Sequence, residues 1–215
     1  MKYIITAIVA IVILFGGGAL WYKNKQEKEL NAKLSELSES LVRDYSLVYG
    51  SPDAKVTIVE FLDPACETCA QFYPLLKDLV KKHDGKVKIV YRYAPFHKNS
   101  DFVIALLETL RLQDKFDDGL SKLFEHQNLW TVNHESKPEL VLAVLMQSDI
   151  GIDFDKAFKD LESPEIARRL DQDYKDLTAL GVDKTPGFFV NGKPLIEFGY
   201  KQLVDLVERE IKAVY

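Results

Sequence analysis

The chain has only two cysteines, and they stand three residues apart as Cys66-Glu67-Thr68-Cys69, after a β-branched apolar run and at the head of an amphipathic stretch. On the first turn of a helix, that spacing brings two sulfurs within bonding reach. Cys66 then sits where unpaired backbone N–H groups and the positive end of the dipole favour thiolate over thiol. Cys69, one turn deeper, is shielded and placed to resolve a mixed disulfide. The chemistry this pattern fits is thiol–disulfide exchange.

Other uses of such a pair fit less well. A structural zinc site needs four ligands, and His83, His97, His126 and His134 show no matching spacing, so no metal site is read from the sequence. A purely stabilising disulfide across so short a loop removes little unfolded-state entropy. Two thiolates suffice for Cu(I), so a copper- or zinc-handling protein stays open as an alternative, although Met1 and Met146 are the only methionines to assist. With 28 Lys and Arg against 33 Asp and Glu, a net charge of −5 and no basic stripe, nucleic acid is disfavoured as a partner.

The elements that must position the cysteines follow from periodicity. Residues 55–61 (KVTIVEF), preceded by Gly50, Ser51, Pro52 and Asp53, predict a core strand. The helix from Cys66 places Phe72, Leu75, Leu76, Leu79 and Val80 at helical spacing, with a kink expected at Pro74 and a stop at Gly85. Residues 87–93 (VKIVYRY) predict a second strand, parallel to the first through a right-handed crossover. Cys66 therefore lies beyond the carboxyl end of a sheet strand. Residues 101–180 read as a helical insertion, with helices over 102–116, 120–124, 139–147 and 165–180. Ser136 and Glu139 are spaced as a capping box, and Ser163-Pro164-Glu165 supply a cap, a proline at N1 and an acid in the first turn. Asn191-Gly192 between two apolar runs predicts a hairpin, followed by a last helix over 200–214.

Upstream, residues 3–22 carry no charge and approach the roughly 20 residues that span a bilayer. Residues 1–22 are expected to form an uncleaved transmembrane signal anchor; the alternative is a secretory signal cleaved near Gly16, Gly17, Gly18 and Ala19, which would release the protein. Residues 23–48 read as a helical stalk with Leu30, Leu34, Leu37 and Leu41 on a short a/d seam, which lays its leucines on the domain or spaces it from the membrane, or alternatively pairs two copies, and residues 49–215 read as one domain. A dithiol that rests oxidised belongs outside the cytoplasm.

The stretch SPDAKVTIVEFLDPACETC, the segment TPGFFVNGKPL and the helical insertion between them resemble the DsbA-like thiol:disulfide oxidoreductases of the thioredoxin superfamily over residues 51–215. The resemblance implies an α/β thioredoxin-like fold, a cis Thr185–Pro186 bond whose loop aligns substrate backbone beside the cysteines, and an acidic group, here Glu60, beneath the pair. A carboxyl buried there would have a raised pKa and move protons during exchange; if the strand phase slips by one, it faces outward instead. The strongest oxidants of this family carry Pro-His between the cysteines. Here Glu67-Thr68 stand in their place, and a negative charge beside Cys66 opposes ionisation and implies a weaker oxidant. His97 reads as structural, because nothing nearby in sequence pairs with it.

Together these readings predict a membrane-anchored thiol:disulfide oxidoreductase in the periplasm or cell envelope. Cys66 attacks, Cys69 resolves, Glu60 carries protons and Thr185 and Pro186 bind substrate. No cofactor is required, since the sulfurs carry the electrons. The partners are exported proteins with thiols or disulfides, and a membrane protein that reoxidises or reduces the pair. A disulfide isomerase or reductase dimerised by the stalk is the nearest alternative. A groove lined by Phe and Leu of the insertion is expected beside the site.

Overall fold

The computed structural model describes residue 25 and residues 37–215. Met1–Glu39 form one unit and Ser40–Tyr215 another; of the first, residues 25 and 37–39 are described, all helical. The anchor expected over 1–22 and most of the stalk lie outside the described residues, and among those described no helix is long and apolar enough to cross a membrane. Leu41, one of the four spaced leucines, is buried with Val59, Phe61 and Leu177 of the domain, as expected if the segment lays its leucines on the domain.

The second unit is an α/β fold built around one mixed sheet. Its central strand β2 (Val56–Leu62) pairs in parallel with β3 (Val87–Tyr93), in register Val56↔Val87 through Leu62↔Tyr93. Helix α1 (Glu67–Lys82) connects them and runs through Pro74. Strand β2 reads as a nearly unbroken apolar run because both of its faces are covered. Val56, Ile58 and Leu62 enter the cluster that holds Cys66, Cys69 and the apolar side of α1, while Val59 and Phe61 enter the opposite one.

A short strand that the sequence reading assigned partly to the stalk and partly to a turn, β1 (Leu47–Gly50), adds antiparallel to β3 at one edge. Only four residues long and half-exposed, it offers too brief an alternation to stand out. Between β3 and the C-terminal strands lie helices α2 (Ser100–Arg111), α3 (Phe116–Glu125), α4 (Gln127–Trp130), α5 (Pro138–Gln147), α6 (Phe154–Asp160) and α7 (Pro164–Ala179). The helix expected over 102–116 ends at Arg111 because Asp114 takes a left-handed φ of 58° and Phe116 opens the next helix. The capping box at Ser136 and Glu139 does not form. Ser136 pairs with Thr131 in a two-residue-per-strand hairpin, β4 (Thr131–Val132) with β5 (Glu135–Ser136), so Lys137 becomes the N-cap of α5. Ser163 and Pro164 do open α7 as expected.

Strand β6 (Gly187–Val190) pairs antiparallel with β2, and β7 (Lys193–Pro194) with β6. Asn191 and Gly192 make the predicted turn at φ 49° and 80°, both in the left-handed region such a turn requires. Helix α8 (Tyr200–Val214) closes the fold, and the sheet order is β1-β3-β2-β6-β7.

The insertion is fastened to the sheet by a buried ionic network. Arg92 on β3, with no exposed surface, donates through Nε and Nη2 to Asp173 and through Nη2 to Asp176, both on α7. The second Asp173 oxygen accepts the Tyr93 N–H at 2.9 Å, and Arg43 makes two further bonds to Asp176. Removing the cation would leave the buried Asp173 carboxylate without a cationic partner and Asp176 with Arg43 alone. Arg92→Met is therefore expected to cost about 3–5 kcal/mol in denaturant unfolding, and Arg43→Ala, at the more exposed rim, distinctly less; equal losses would contradict this ranking.

Candidate active site

Cys66 is the N-cap of α1, with φ −78° and ψ 119°. That extended conformation turns its Sγ toward the free N–H groups of the first turn. Its own N–H bonds to Asp63 O at 3.0 Å, fixing the turn that leads out of β2. Across from it, the Thr185 carbonyl accepts the Cys66 thiol at 3.3 Å, and the Thr185–Pro186 bond is cis. Cys66 is 6% exposed and Cys69 fully buried, and both are free thiols.

The two sulfurs differ sharply in acidity. Cys66 is pushed down to about 6, first by the Cys69 thiol hydrogen-bonded to it and, against the opposing effect of burial, by the Thr185 side chain and the backbone N–H groups of Cys69 and Thr68. Cys69 is held well above the ordinary thiol range by burial, by its bond to Cys66 and by the charges of Glu60 and Cys66. Glu67 faces outward, 52% exposed, with a carboxylate oxygen 3.2 Å from His134 Nδ1. Thr68 is half-buried beside it.

Glu60 points inward, 2% exposed, on the β2 face that carries Ile58 and Leu62. Burial, helped by the charge of Cys66, raises its pKa to about 8, so it carries a proton at neutral pH. Its neighbours in register are Tyr91 on β3 and Phe188 on β6.

One residue that the sequence reading missed organises the turn. Asp63, fully buried, accepts from Ala65 N and Ser100 Oγ through one oxygen, and from Phe96 N, His97 N and His97 Nδ1 through the other, at 2.6–2.9 Å. Its only signal in the sequence is an acid closing a buried strand, and the following Pro64 makes it read as a turn former. His97 is structural as expected, but its partner lies 34 positions upstream. Gln127 of the insertion donates to Pro64 O at 2.8 Å and ties α4 to the same turn.

A groove of about 150 Å³ runs beside Pro186, lined by Val182, Phe188, Pro194, Ile196 and Phe198. It is built mainly by the cis-proline loop and the β6–β7 hairpin; of the expected Phe and Leu of the insertion, Leu180 lines it. Phe72 of α1 stacks against Phe188, Phe198 and Tyr200 at 5.1–5.3 Å, so the groove floor is continuous with the helix that carries the cysteines.

Comparison with known proteins gives a consistent picture. The family described as thioredoxin matches residues 43–209. A "Na(+)/H(+) antiporter NhaA" of Herminiimonas arsenicoxydans is 27% identical over 148 residues, 69% of this chain but 22% of that protein, so the chain spans about a fifth of its length. The "Disulfide bond formation protein D" of Bacillus subtilis is 29% identical over 174 residues, 77% of each chain. A crystal structure of a thioredoxin-like oxidoreductase from Silicibacter pomeroyi is 29% identical, with a TM-score of 0.69 over 82% of this chain and 98% of that one.

The buried carboxyl has a measurable cost. Its folded pKa, about 8, lies above that of an unfolded glutamate, so stability is fully present below roughly pH 4.5 and is lost as pH rises through 8. Glu60→Gln keeps the shape without the charge. In urea unfolding of the reduced protein its stability should match the wild type near pH 4 and exceed it by roughly 3–5 kcal/mol at pH 9; a gap independent of pH would contradict the burial argument.

Proposed function

The chain belongs to the thioredoxin superfamily, among its DsbA-like thiol:disulfide oxidoreductases, and on that premise we propose that it forms disulfides in exported proteins from the outer face of a membrane. The observation that carries this reading is the pairing of an acidified Cys66, set against the Thr185 carbonyl, with a buried Cys69 and a protonated Glu60 behind it.

The reaction starts from the Cys66–Cys69 disulfide. A substrate thiolate attacks the Cys66 sulfur, breaking the S–S bond and forming a mixed disulfide, and Cys69 leaves as a thiolate. Its high proton affinity demands a proton at once, and the Glu60 carboxyl beneath the pair supplies it. A second substrate thiolate then attacks the substrate sulfur of the mixed disulfide. Cys66 leaves, and its low proton affinity makes it a good leaving group. The substrate is oxidised by two electrons and the protein is left as the dithiol. During the exchange Thr185 and Pro186 align the substrate backbone, and the groove at Phe188 and Phe198 takes its apolar side chains.

The apolar run at 3–22 supports anchoring, with the 23–48 stalk as a spacer, and a pair that must rest oxidised supports an extracytoplasmic domain served by a membrane redox partner. The name of the Bacillus subtilis relative supports disulfide formation as the direction of flow.

Two measurements test this. Cys69→Ala should accumulate a covalent adduct with a disulfide peptide, whose other sulfur leaves as a thiol, and dithiothreitol should release it, whereas Cys66→Ala should form none. Equilibration with glutathione should place the potential between about −270 mV, where thioredoxin sits with a thiol pKa of about 7, and about −120 mV, where DsbA sits with about 3.5. A potential below that of thioredoxin would overturn the oxidising direction.

A further inference from the structure

We propose that Glu67, His97 and His134 form a binding site for a zinc-class divalent cation on the rim of the redox pair. The three residues come from the first turn of α1, the segment after β3 and the tip of the β4–β5 hairpin, and one ligand atom from each lies within 4.8 Å of the others. No spacing rule along the chain could detect them, because the two histidines lie far apart in the chain and the third ligand belongs to the motif between the cysteines.

The chemistry of the set is that of zinc. Two imidazoles and a carboxylate are a recurrent three-ligand combination for Zn²⁺, which leaves one position to water. The edge of a tetrahedron with bonds near 2.0–2.1 Å is about 3.3 Å, and Glu67 Oε1 already stands 3.2 Å from His134 Nδ1. The ring centroids of His97 and His134 are 6.4 Å apart, a separation that leaves room for an ion between their ring edges.

Three features show that the arrangement is built. His97 is bonded through Nδ1 to the buried Asp63 carboxylate at 2.7 Å, which leaves Nε2 as the free nitrogen and fixes the ring plane. A carboxylate behind a ligating histidine is the usual outer shell of a zinc site. The hairpin is fastened to the His97 segment, since Ser136 N donates to Lys98 O at 3.0 Å, Asn99 Nδ2 donates to Ser136 O at 3.0 Å and Lys98 pairs with Glu135. Finally, Asn133 and His134 form the two-residue turn at φ 52° and 60°. Glycine is the ordinary second residue of such a turn, because it takes that backbone without a Cβ penalty. A histidine at that place, 75% exposed and facing Glu67 and His97, is explained by what its imidazole can hold. A bound ion would clamp the hairpin tip to the helix turn that carries Cys66.

The test uses the full chain with Cys66 and Cys69 oxidised to the disulfide, so that thiolates cannot bind the metal and the outcome is independent of the redox reading. Titration with Zn²⁺ against a chromogenic chelator should find one ion per chain. Co²⁺ in its place should show the visible bands of a four-coordinate ion without thiolate charge transfer. His97→Ala and His134→Ala should each weaken binding by at least about tenfold, the loss that even an outer-shell change brings, while His126→Ala leaves it unchanged. His134→Gly, which suits the turn, should lose the metal yet melt at a higher temperature than the metal-free wild type. Absence of Zn²⁺ uptake, or uptake that persists undiminished in His134→Ala, would overturn the site.

Discussion

A sulfur almost out of water can hold a negative charge only where the protein supplies the hydrogen bonds that water would have made. Cys66 meets that condition because it caps a helix: the Thr68 and Cys69 N–H groups, the Thr185 side chain and the Cys69 thiol surround it, and together they outweigh the burial that opposes ionisation. The rest of the site is arranged around this imbalance. Cys69 and Glu60 are buried more deeply, burial dominates at each, and both are driven the other way. Three acidic groups in one cluster thus ionise in a fixed order, and the order assigns their work: one leaves as an anion, one needs a proton and one holds a proton to give.

Keeping that geometry falls to the turn between β2 and α1. Asp63 gathers five donors from three segments, so the chain before Cys66, the loop after β3 and the start of α2 move together. The pairing of β6 with β2 sets the cis-proline loop across from the sulfur, since Phe188 opposes Glu60 and Gly187 opposes Phe61. Farther out, Arg92 ties α7 to β3 and holds the insertion against the sheet. Both cysteines and their carboxyl therefore sit on elements whose positions are fixed by long-range bonds rather than by local preference.

That division explains what could be read from the residues alone. The strand, helix and strand around the CxxC pair, the Asn191-Gly192 hairpin and the helical insertion are local patterns of period or turn chemistry, and they appear where the sequence places them. Glu60 was ambiguous by one residue of phase, which Ile58 and Leu62 on either side resolve by packing inward with it. Strand β1 and the β4–β5 hairpin are too short to carry a period; β1 pairs with the distant β3, and the hairpin is held in place by the distant Lys98 segment. The role of Asp63 depends on Ser100 and His97, more than thirty residues away, so a single sequence offers only an acid before a proline.

The most direct test of the account is the ionisation of Cys66 itself. Thiolate absorbance of the reduced protein, followed against pH with iodoacetamide trapping to assign the signal to Cys66, should rise with a midpoint near 6. A midpoint at the ordinary thiol value of about 8.5 would mean that the helix cap and its neighbours do not stabilise the anion, and the ordering of acids on which the mechanism rests would be wrong.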